Sequence, residues 1–170
     1  MKNPQLITIP LVSLSYDQER WEPSHEWEEK IFNTKNYIKI LAPMELPDFS
    51  YGVEIKDSSL FTYFGVNTVA IFSKSDFPAQ DNIFLVGLKG KPPLVGKLLK
   101  NESDSEGQGR KTFMTPTPLH IPESKTSPIA DSLHQTLIFK VLSKPQGTRF
   151  FPHSNIGWRH PLIFVQKTKN

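Results

Sequence analysis

Apolar positions along this chain come in short runs with a period of two, broken by proline-rich and polar stretches. That pattern predicts strands rather than helices. Residues 7–14 (ITIPLVSL) are apolar and β-branched. Pro10 has no backbone N–H to give to a ladder, so this strand is expected at an edge or broken. Residues 49–55 alternate after a Pro47-Asp48 turn, with Val53 and Ile55 on one side and Glu54 and Lys56 on the other, as in a half-buried strand. Residues 68–73 (TVAIFS) and 83–88 (IFLVGL) predict two more strands, and a turn at Gly90-Lys91-Pro92-Pro93 returns residues 94–100 (LVGKLLK) as a hairpin partner. Shorter runs at 112–114, 135–143, 149–151 and 162–166 complete the series. The stretch 15–36 is polar; within it Ser24 is placed to cap a short helix over 25–31, whose Glu26, Glu28 and Glu29 suit the positive end of the helix dipole. Residues 101–110 are a polar loop and 115–132 a proline- and serine-rich excursion without period. The expected whole is a mainly β domain of about eight short strands with at most one short helix.

Composition narrows this picture. A chain of 170 residues is long enough for one domain with a real core. Fifteen prolines against 9 glycines argue against a helical bundle, because proline interrupts helix interiors. The absence of cysteine excludes disulfides, Cys-ligated zinc, iron–sulfur clusters and thiol catalysis, is compatible with a reducing cytosol, and goes with an expected cytoplasmic location. A net charge of +3 does not by itself imply a nucleic-acid partner. No apolar stretch approaches the roughly 20 residues of a membrane helix, so no membrane association is expected. No small-residue cleavage site follows the apolar residues 6–14, so no signal peptide is expected. There is no phosphate-cradling glycine loop, and no cofactor is assigned. His25 lies among Glu26, Glu28 and Glu29 but without a second histidine on the same helical face; His120, His134, His153 and His160 are dispersed. No metal is assigned.

The stretch with most chemical content is VEIKDSSLFTYFGVNTVAIF, residues 53–72: an alternating strand, Asp57-Ser58-Ser59-Leu60, a turn, then an apolar strand. It resembles the LexA/UmuD family of self-cleaving serine peptidases, in which an alternating strand runs into Gly-Asp-Ser-Met, a short loop, Gly-Asp and a hydrophobic strand. On this resemblance Ser59 falls on the nucleophile, Leu60 on the methionine, Asn67-Thr68 on Gly-Asp and residues 69–72 on the following strand. IPLVS at 9–13 is similar to the opening Val-Pro-Leu segment, residues 81–100 to the hairpin that carries the family's lysine, and LIFKVL at 137–142 to its closing strand. The resemblance covers residues 7–143. It implies a LexA/UmuD-like domain over 1–145, a C-terminal extension over 146–170 packed on the same domain, and a homodimer. Residues 1–45 are too short and strand-like for a helix-turn-helix domain, so the chain resembles the stand-alone, UmuD-like arrangement.

In that family a lysine among apolar neighbours is neutral at working pH and takes the serine proton, a Ser–Lys version of nucleophile plus base. Here the Val-Lys-(Lys/Arg)-Leu run of the family reads Val95-Gly96-Lys97-Leu98. Gly96 occupies the catalytic lysine position and Lys97 its neighbour. Since one residue of shift turns a side chain to the other face of a sheet, Lys97 is expected to point away from Ser59 unless a bulge corrects the register. The family cuts an Ala-Gly or Cys-Gly bond after its opening segment; residues 1–50 here contain no glycine. The expectation is therefore a non-cleaving interaction or regulatory module, in a DNA-damage or phage-related setting. The alternative is an active Ser–Lys peptidase built on Ser59 and Lys97, with Ser58 as a substitute hydroxyl. A second alternative is nucleic-acid association through the basic and aromatic C-terminal residues Arg149, Phe150, Phe151, His153, Trp158, Arg159, His160, Lys167 and Lys169. The competing reading of that segment is a strand pair that completes the core.

Overall fold

The computed structural model describes residues 3–14, 24–101, 136–143 and 146–168. The expected strand at 112–114, the excursion at 115–132, nearly all of the 101–110 loop, the Ser24 cap, and the side chains of His25, His120 and His134 lie outside the described residues. The protein is mainly β. Nine strands form one mixed sheet in the order β2-β1-β3-β4-β9-β5-β6-β7-β8. They are β1 (Gln5–Leu14), β2 (Tyr37–Ala42), β3 (Ser50–Ile55), β4 (Thr68–Ser73), β5 (Ile83–Leu88), β6 (Leu94–Asn101), β7 (Thr136–Val141), β8 (Gly147–Pro152) and β9 (Ile156–Lys167). Helix α1 spans Ser24–Asn33, the short helix expected, and a single helical turn, α2, spans Phe61–Phe64. Among the described residues, no helix is long and apolar enough to cross a membrane.

Two prolines show how the sheet is assembled. Pro10 is the last residue of β1 to pair with β2, and from Leu11 onward β1 pairs in parallel with β3. Pro161 is the last residue of β9 to pair with β5, and from Leu162 onward β9 pairs with β4. A residue without an N–H is tolerated where a ladder ends, and both prolines sit where a strand passes from one partner to another. β1 is accordingly not an edge strand as a whole, although each half of it has an edge of its own.

β9 therefore belongs to two half-sheets. One holds β2, β1, β3, β4 and the end of β9; the other holds the start of β9, β5, β6, β7 and β8. The main core joins them: Val53, Ile55, Ala70 and Phe72 of the first half pack with Ile83, Leu85 and Val95 of the second, together with Ile31, Leu60, Phe64, Leu142 and Leu162. Each half also keeps a smaller cluster, around Val86 and Phe139 in one and around Ile40 and Ile71 in the other. The residues after 145, expected as an extension, supply β8 and place β9 in the middle of the sheet. Burial of these apolar side chains at roughly 25 cal/mol per Å² is the principal force holding the halves together.

Candidate functional site

Ser59 lies just beyond β3, in a tight 3₁₀ turn over Ser58–Leu60. The turn forms because Asp57 precedes it: the Asp57 carboxylate accepts the Ser59 N–H at 2.9 Å, and its carbonyl accepts the Leu60 N–H at 3.0 Å. Leu60 anchors the turn in the main core. On the other side, the Gln146 amide donates both to the Ser59 carbonyl at 3.2 Å and to the Leu142 carbonyl at 3.1 Å, tying the turn to the end of β7. The Ser59 hydroxyl oxygen is sealed from solvent and has no hydrogen-bond partner. Ser58 is exposed.

Lys97 stands opposite Ile83 in the β5–β6 ladder. Residues directly opposite each other in a ladder share a face, and Ile83 packs in the core cluster that contains Leu60. Lys97 is thus on the Ser59 side of the sheet. Gly96 takes the other face: a side chain there would meet Phe139 at 3.0 Å and Leu94 at 3.3 Å. The expectation that Lys97 points away from Ser59 is corrected accordingly. The reason is register: pairing of Ile83 with Lys97 puts Val95 and Lys97, not Gly96, in phase with the main core. Lys97 is nonetheless exposed to solvent, and among the described residues no base contacts the Ser59 hydroxyl.

Opposite Lys97 on β7 stands Lys140, also exposed. Its ammonium lies 5.6 Å from the centre of the Tyr63 ring on α2. The Ser59 turn, Tyr63, Lys97, Lys140 and Gln146 thus border one region of the sheet surface.

A second polar group lies in the core and was not anticipated. Tyr51 Oη and His160 Nδ1 are 2.6 Å apart, both residues buried. His160 Nε2 faces Glu28 of α1 at 3.9 Å, and the same Glu28 oxygen accepts from Lys74 at 2.9 Å. Trp158 stacks on the imidazole with centroids 4.3 Å apart. Burial lowers the His160 pKa to about 4, with Glu28 opposing and Lys74 adding to the shift; burial first, then Glu28, holds the Tyr51 phenol well above its ordinary value. The ring is neutral at pH 7, and the tautomer protonated at Nε2 accepts from Tyr51 while turning its N–H to Glu28. The arrangement ties α1 to the sheet. One signal was present in the sequence: Ile156, Trp158 and His160 alternate with Gly157 and Arg159, a period of two that continues the strand read at 162–166.

The C-terminal basic and aromatic residues do not share one surface. His160 is buried, Arg159 lies over the Phe84 ring at 5.2 Å, Phe151 packs on the cluster around Phe139, and Phe150 is exposed on β8. Among the described residues no three His, Asp or Glu side chains converge as metal ligands. No family model, curated protein or solved structure matches the chain.

Proposed function

We propose that this protein is a non-cleaving interaction or regulatory module of LexA/UmuD-like descent. The observation that carries this reading is the Ser59 hydroxyl, which is inaccessible and has no base in contact with it. A serine attacks a peptide bond only if a positioned base takes its proton and the scissile carbonyl reaches it. A buried hydroxyl with no partner among the described residues supports neither condition. Lys97 is also exposed to solvent rather than set among apolar neighbours. The regulatory setting, in DNA damage or phage control, and a homodimer follow from the resemblance; a dimer is expected to elute with light-scattering mass twice the 19.4 kDa of the chain.

A second reading, an active Ser–Lys peptidase, is favoured by the placement of Lys97 on the Ser59 side of the sheet. Incubation of the pure protein at alkaline pH, followed by intact-mass analysis, separates the two. A single full-length mass over days is the expected outcome. Fragments that form in the wild type and vanish in both Ser59→Ala and Lys97→Ala would replace the first reading with the second.

A further inference from the structure

We infer that the face of β6, β7 and β8 beside the Ser59 turn binds single-stranded nucleic acid, with Lys97 and Lys140 on the phosphates and Phe150 and Tyr63 under the bases. This goes beyond the proposed function and stands whether or not the protein cleaves itself.

The register places these residues together. Lys97 pairs with Lys140, Lys140 pairs with Thr148, and Ile138 pairs with Phe150. Paired residues share a face, and alternate residues of one strand return to it. Lys97, Lys140, Ile138, Thr148 and Phe150 therefore project from the same side of three adjacent strands. The opposite side, carrying Leu137, Phe139 and Val141, is the buried one.

Two features of this face call for a partner. Like charges directly opposite in a ladder repel, and among the described residues neither Lys97 nor Lys140 has a carboxylate within ion-pair distance. Their repulsion is relieved by an anion that spans both. The second feature is aromatic: Phe150 is 65% exposed at the next pair on the same face as Lys140, and Tyr63, 41% exposed, has the Lys140 ammonium over its ring. Alternating cations and aromatic faces match the repeating phosphates and bases of an unpaired strand. A duplex hides its base faces, and a polyanion without flat rings offers Phe150 nothing to stack on.

The test is fluorescence anisotropy with the full chain and labelled dT20 or rU20 at 50 and 200 mM salt. Two phosphate contacts give a log–log salt slope of about −1.4, hence an affinity loss of roughly sevenfold over that range. Lys97→Ala/Lys140→Ala is expected to weaken binding and remove most of the slope. Phe150→Ala is expected to weaken binding about tenfold with the slope intact, while Phe150→Trp retains it. Preference for dT20 or rU20 names the sugar and upholds the site in either case. Absence of saturable binding to both oligonucleotides at 50 mM salt would overturn it. So would equal affinity for polyglutamate, or unchanged binding by Phe150→Ala whose circular dichroism matches the wild type.

Discussion

His160 is the residue whose environment departs most from what its chemistry prefers. A histidine in the unfolded chain takes up a proton near pH 6.5, whereas the native ring resists protonation down to about 4. Between those values the unfolded state binds more protons than the native state, so stability falls as pH is lowered through the window and is fully present above it. At about 1.4 kcal/mol per pH unit the complete loss amounts to about 3 kcal/mol. Urea midpoints measured from pH 7.5 to 4 should show this slope in the wild type and a flatter one in His160→Gln, which keeps an acceptor for Tyr51 but does not titrate. Identical slopes would mean that the native ring is protonated in its pocket. Ser59 illustrates the converse at the same scale. Its position after an alternating strand was legible in the sequence, but the bond its carbonyl accepts from Gln146, 87 residues away, was not. No local pattern reports a contact of that kind.

Elements match expectation most closely where a continuous apolar run is buried on both faces. β4 and β5 occupy the predicted residues 68–73 and 83–88. β2 carries the run YIKILA, only partly buried, and escaped detection because it lies at the edge of the sheet. β9 begins at Ile156, ahead of the predicted 162–166, and Pro161 within it marks a change of partner. The close approach of β5 and β9 is set by one glycine. Gly87 pairs with Trp158, and a Cβ on it would lie 2.2 Å from the indole. Gly87→Ala must displace Trp158 from His160 and is expected to cost about 1–3 kcal/mol, in the range of core overpacking. Trp158→Leu should restore part of that loss in the double variant. Additive losses in denaturant melts would show that the indole is not the obstacle.

At the scale of the molecule, β9 makes two half-sheets into one folding unit. Leu162 sits at the point where its partner changes and is buried in the core shared by both halves. Leu162→Ala is expected to cost about 2–5 kcal/mol, as buried leucine truncations do. If the halves are one cooperative unit, native-state hydrogen exchange should report equal loss of protection in β3 and in β7. Loss confined to the β3 side would mean that the halves unfold separately. The same assembly creates the proposed nucleic-acid face, since Tyr63 belongs to a turn after β3 while Lys97, Lys140 and Phe150 belong to the second half.

The amino-acid order by itself determined the mainly β character, most strand positions and the serine turn, because each arises from neighbours within a few residues: alternation sets a face, and an aspartate caps the turn beside it. Only the tertiary structure decided which face of β6 carries Lys97, that His160 is buried against Tyr51 and Glu28, and that β9 lies in the sheet centre. Those outcomes depend on register between distant strands. A shift of one residue in pairing reverses every side chain, and nothing local to either strand records which pairing the shared core selects.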